Sequence, residues 1–190
     1  MAEFPKSPAG LIGYSMGGNF ALRIAKKIPS LSTLAICPAL SPEDTMLKIS
    51  GNIIYEQYFM RKWRGLWSKK QAAFPELYNF KDAMNLSSVT ALTDYFVKYH
   101  TDYDNTDDYF AAYDLCGDGL NGVTAQILAA ADDPIIPAKY YANVPDSIAL
   151  DWVAKGGHGA FLENWQFDSW CDRYSCAFFQ HALSNEVRLL

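Results

Sequence analysis

The chain has 190 residues, half of them hydrophobic, and a formal net charge of −5. That length and composition supply a core for one domain and exclude an intrinsically disordered chain. The acidic balance directs away from nucleic acid and anionic lipid as partners, because binding to either runs on clustered Lys and Arg.

In chain order the first pattern is strand, tight turn, helix, strand. Ala9 to Gly13 is a short apolar run, Asn19 to Ile28 carries helical spacing with Phe20, Ile24 and Ile28 on one face, and Leu34 to Cys37 is apolar again. Pro29 and Ser30 close the helix. This βαβ pattern calls for a parallel sheet covered by helices, an α/β fold.

From about Ser41 to Gly122 aromatic and charged residues mix at helical spacing without a strand-like run, which predicts an inserted helical cap over 41–122 between core segments 1–40 and 123–190. Tyr55, Tyr58, Phe59, Trp63, Leu66 and Trp67 form an apolar stripe there, expected to pack. The basic residues Arg61, Lys62, Arg64, Lys69 and Lys70 read as a solvated helix face, with a phosphate-seeking or membrane-surface helix as the alternative. Asp102, Asp104, Asp107 and Asp108 lack the Gly and the final Glu of an EF-hand and are assigned to helix capping and turns.

The sheet resumes with Gln126 to Ala131, an Asp132-Asp133-Pro134 loop, a helical stretch, and a last strand from Ser147 to Val153. A turn at Gly156 to Gly159 leads to a final helix from about Asn164 to Leu183, expected to set Trp165, Phe167, Trp170, Phe178 and Phe179 against its neighbours.

Cys37, Cys116, Cys171 and Cys176 show no CxxC spacing and no companion His, so free thiols and no metal are expected, with Cys37 in the core. No apolar run approaches the roughly 20 residues that span a bilayer, and the absence of a signal peptide points to the cytoplasm.

Gly13-Tyr14-Ser15-Met16-Gly17 matches G-x-S-x-G between a predicted strand and a predicted helix, the context a nucleophile elbow requires. A sharp strand-to-helix turn strains the Ser backbone, so small residues must flank it, and Gly13, Gly17 and Gly18 are expected to supply that room. The turn aims the Ser15 hydroxyl at the positive end of the helix, where the Met16 amide can donate to an oxyanion. A hydroxyl needs a general base, and His158, in a Gly-rich loop after the last strand, is the candidate. His181 reads as a helix-surface residue and His100 as a residue of the cap. Asp133 is chosen as the acid that orients the imidazole; its neighbour Asp132 has the same position at a strand end, and one of the two is expected to cap a helix or turn the loop instead. The order Ser15, Asp133, His158 is that of the α/β-hydrolases.

The chain resembles the YheT-like esterase branch of that superfamily. The resemblance rests on GYSMGGNFAL, on YFMRKWRGLWSKKQAAFPELY with TDDYFAAYD, on ILAAADDPIIP and on GGHGAFLE, which together cover nearly the whole chain. It implies a partial α/β-hydrolase fold with a helical cap, Ser15 as nucleophile, Asp133 as acid, His158 as base, and cofactor-free hydrolysis of small carboxylic esters of short or medium acyl chain. In the family the elbow follows a fifth strand, whereas only Met1 to Pro8 stand before it here. The resemblance therefore implies a chain lacking N-terminal strands, weakly active or inactive unless a partner or a further segment completes the sheet. A binding module that keeps the triad letters, or an acyltransferase using the same triad, are the alternatives.

Overall fold

The computed structural model describes residues 8–187. The chain divides into two compact units, one of Met1–Leu40 with Leu115–Leu190 and one of Ser41–Asp114.

Among the described residues the first unit is built on four parallel strands, β1 (Gly10–Tyr14), β2 (Ser32–Ile36), β3 (Ala125–Ala130) and β4 (Ile148–Val153), in the spatial order β1-β2-β3-β4. Gly13 lies opposite Ala35, Ala35 opposite Ile127, and Ile127 opposite Leu150. The central strands carry buried apolar runs, Leu34 to Ile36 and Ile127 to Ala130, as a parallel sheet covered on both faces demands. Because all four strands run the same way, every loop that follows a strand leaves from one edge of the sheet, and that edge collects the residues described below.

Helix α1 (Met16–Lys27) joins β1 to β2. Its buried residues are Gly18, Asn19, Ala21, Leu22 and Ala25, while Phe20, Ile24 and Ile28, the residues that share one face by spacing, are exposed. Small residues win the inward face because the helix packs closely on β1 and β2. The Leu115 amide donates to the Leu40 carbonyl at 2.8 Å, tying the two ends of the segment that leaves the sheet.

Helix α6 (Trp170–Val187) begins six residues later than the sequence pattern suggested. The Asn164 side chain accepts from the Gln166 and Asp168 amides, at 3.0 and 3.1 Å, and holds the segment as a turn, the usual way a short polar side chain competes with a helix. Trp165 and Phe167 are consequently 94% and 72% exposed rather than packed. Trp170, Phe178 and Phe179 do pack, against a core of Leu34, Ile36, Cys37, Leu128, Ala130, Phe161 and Cys171.

The second unit contains α2 (Pro42–Ser50), α3 (Ile53–Ala73), α4 (Val89–His100) and α5 (Thr106–Tyr113). Asn52, Ser88 and Asn105 cap α3, α4 and α5 by accepting backbone amides. Asn105 thus takes the capping role assigned to nearby aspartates, with Asp107 and Asp108 in the first turn it opens. Trp67 and Phe80 are buried and stack at 5.0 Å. Only part of the expected α3 stripe packs, since Tyr58 and Leu66 are exposed. Arg61, Lys62, Lys69 and Lys70 are exposed, and Arg64 turns its guanidinium to the Leu86 carbonyl. Among the described residues no helix is long and apolar enough to cross a membrane.

Candidate active site

Ser15 occupies the sharp turn between β1 and α1 with φ 53° and ψ −119°, a conformation costing of order 1–3 kcal/mol for a residue with a Cβ. Three backbone hydrogen bonds hold it there: its amide donates to Ile36 O at 2.9 Å, and its carbonyl accepts from Asn19 and Ala39 at 3.2 and 3.1 Å. Gly13 is obligatory, because a Cβ there would stand 2.1 Å from the Gly17 carbonyl oxygen. A Cβ on Gly18 would meet Pro38 at 3.0 Å, whereas one on Gly17 would meet nothing within 4 Å, so the expected need for a small residue at Gly17 does not hold. Although Ser15 is the residue that precedes α1, its side chain makes no capping bond. The hydroxyl lies instead 2.9 Å from His158 Nε2.

His158 follows β4 in a loop where Gly157 and Gly159 take φ 58° and 80°, left-handed values open to glycine at little cost. The other ring nitrogen, Nδ1, lies 2.9 Å from Asp133 Oδ2. The side chain of Asp133 is 1% exposed and that of His158 19%. Asp133 follows β3, and its second oxygen accepts from the Ile135 and Ile136 amides at 2.8 and 2.9 Å. These bonds orient the carboxylate and compensate its burial.

Asp132 holds the same loop from another side. Its Oδ1 accepts from the Gly156 and Gly157 amides, both at 2.8 Å, and those bonds, Gly157 first, hold its carboxyl below the usual carboxylate range. Of the two aspartates the sequence offered, Asp133 meets the imidazole and also caps its own turn, while Asp132 fastens the His158 loop.

Met16 is the first residue of α1, next to the Ser15 turn. His181 is exposed on α6. His100 lies in the second unit, 4.8 Å from the Phe80 ring, where burial and then Lys70 push its pKa down.

The strand ends bring a fourth residue into the cluster. Cys37, immediately after β2, is fully buried with φ 43°, and its Sγ, an Asp133 carboxylate oxygen and a His158 ring nitrogen all lie within 4.8 Å of one another. Such a trio offers metal-ligand atoms. Burial, and then the Asp133 carboxylate, push the Cys37 thiol up to about 12, so the thiol is protonated in the arrangement the structure shows. The arrangement is a hydrogen-bonded relay from a buried carboxylate through an imidazole to a strained hydroxyl, chemically suited to deprotonating that hydroxyl. Sequence reasoning placed Cys37 only in the core, because an apolar run conceals which of its residues ends at the functional edge.

No family model matches the chain, and no curated protein matches it. Solved structures do. A meta-cleavage product hydrolase variant superposes with a TM-score of 0.50 at 16% identity, over 91% of this chain and 65% of that one. The fold is part of the α/β-hydrolase fold. The acetyl xylan esterase of Thermoanaerobacterium sp. JW/SL YS485 matches at a TM-score of 0.46 and 16% identity, over 96% of this chain and 48% of its own. An esterase of Pyrococcus furiosus matches at 0.46 and 15%, over 90% of this chain and 53% of its own. The chain therefore spans about half the length of the two esterases and under two thirds of the hydrolase.

Proposed function

We propose that this chain is a serine hydrolase that cleaves carboxylic esters through an acyl-Ser15 intermediate. The observation that carries the reading is the unbroken contact from Asp133 through His158 to the Ser15 hydroxyl, at 2.9 Å on each side of the ring. Such a chain is common to acyl-transfer enzymes on this and other folds.

In the proposed reaction Ser15 Oγ attacks the ester carbonyl while its proton passes to His158 Nε2. Asp133 holds the Nδ1 proton and stabilises the imidazolium, and the amide of Met16 at the start of α1 donates to the oxyanion. His158 then returns the proton to the departing alcohol. Water, deprotonated by the same imidazole, releases the acid and restores Ser15. No step calls on a cofactor.

Within the superfamily we place the chain in the YheT-like esterase branch, with small esters of short or medium acyl chain as substrates. The support is the set of sequence phrases around Ser15, Asp133 and His158 together with those of the helical unit.

Hydrolysis of p-nitrophenyl acetate and butyrate by the purified chain, with Ser15→Ala alongside, tests the reading. Turnover abolished by the substitution is expected. Turnover equal in the two proteins, or none from a folded wild type, overturns it.

A further inference from the structure

We propose that Cys37 is a positioning residue for His158, its thiol clamping the glycine loop that carries the imidazole. The inference rests on the hydrolase reading above for its catalytic consequence, and on geometry for the rest.

Each of the four parallel strands delivers one residue to the same sheet edge: Ser15 after β1, Cys37 after β2, Asp133 after β3 and His158 after β4. Three of them have proposed parts in the chemistry, and the fourth is not idle packing. The Cys37 thiol donates to the carbonyl of Gly157, the residue just before His158, at 3.8 Å. Its own backbone is fixed, with the amide donating to Leu128 O at 2.8 Å across the sheet. A φ of 43° is unusual for a buried residue with a side chain, and the sheet holds it. The thiol, kept protonated beside Asp133, remains a donor.

The loop needs such a clamp. Glycines at 156, 157 and 159 leave the segment around His158 with many accessible backbone conformations, and the imidazole must keep a hydrogen-bond distance to Ser15. Asp132 fastens the loop through the Gly156 and Gly157 amides, and Cys37 fastens it through the Gly157 carbonyl. The same peptide segment is therefore held through donor and acceptor groups from two different strand ends.

The test compares Cys37→Ala and Cys37→Ser, neither of which adds bulk, with Cys37→Gly as a second thiol-free variant suited to the positive φ should alanine not fold. Two readouts are taken. In the resting protein the downfield proton resonance of the imidazole Nδ1–H reports the His158–Asp133 bond, whether or not the chain turns over. With p-nitrophenyl butyrate, kcat and KM are measured separately. Loss of the thiol is expected to broaden the resonance and to lower kcat by about 10-fold with KM nearly unchanged, since small misplacement of a catalytic group costs rate rather than binding. Serine, which keeps a donor but on a shorter bond, is expected to restore both only in part. A folded thiol-free variant with a sharp resonance and wild-type kcat would show that Cys37 only fills space. A wild type that shows the resonance but no turnover sinks the hydrolase reading alone and leaves the clamp to be judged on the resonance.

Discussion

Asp132 and Asp133 are neighbours in the chain, yet they bind different parts of one loop. Asp133 Oδ2 meets the imidazole of His158 at 2.9 Å, while Asp132 Oδ1 takes the amides of Gly156 and Gly157, both at 2.8 Å. One carboxylate addresses the side chain and the other the backbone that carries it. Their substitution phenotypes should differ accordingly.

For Asp133→Asn the amide oxygen can still accept from Ile135 and Ile136, so the turn survives while the partner for imidazolium is lost. Activity in the ester assay is expected to fall by about 10³- to 10⁴-fold, with little change in thermal unfolding. A drop in melting temperature without a drop in kcat would contradict the assignment.

Asp132 makes a pH-dependent contribution. Its carboxyl is depressed by the two amide bonds, so the stability it lends is fully present above the ordinary carboxylate value near pH 4 and is lost as pH falls through the lower folded value. Protection of the Gly156 and Gly157 amides against hydrogen exchange, taken relative to the intrinsic rate at each pH, should fall over that acidic window. In Asp132→Ala the same amides should exchange fast at neutral pH as well, and Asp132→Asn, which keeps one acceptor oxygen, should fall between.

The glycines of the elbow separate in the same way. Gly13→Ala would drive a methyl to within 2.1 Å of a backbone oxygen, and destabilisation of at least about 1–3 kcal/mol is expected in denaturant titrations. Gly17→Ala meets open space in a helix and should leave stability unchanged or raise it by up to about 1 kcal/mol.

Among the described residues β1 pairs only with β2, and Ile12 on it is exposed, with Phe20 and Ile24 exposed on the adjoining helix. An apolar strand edge templates association. Ile12→Lys is expected to reduce concentration-dependent self-association in sedimentation measurements while leaving the fold intact by circular dichroism.

Much of this was legible in the sequence because it is local. The turn at Ser15 is written in five consecutive residues, and the sheet in apolar runs of strand length. What the pattern could not show depended on partners far along the chain. Spacing put Phe20, Ile24 and Ile28 on one face without showing which way it points, and close approach to two strands buries Gly18, Ala21 and Ala25 instead. Trp165 and Phe167 extended the helical period of α6 backward, and the Asn164 side chain overruled it by taking two amides. Asp132 and Asp133 stand one residue apart at the same strand end, so only three-dimensional placement separates their tasks. Cys37 sits in an apolar run and carries no letter that marks it as a neighbour of His158.

The most direct measurement is covalent labelling by a fluorophosphonate probe, read by mass spectrometry on the wild type, Ser15→Ala and His158→Ala, because the probe reports an activated hydroxyl without assuming a substrate. One adduct on Ser15 is expected in the wild type, none in Ser15→Ala, and strongly slowed labelling in His158→Ala. A folded wild type that takes no label, or a His158→Ala protein that labels as fast as the wild type, would contradict it.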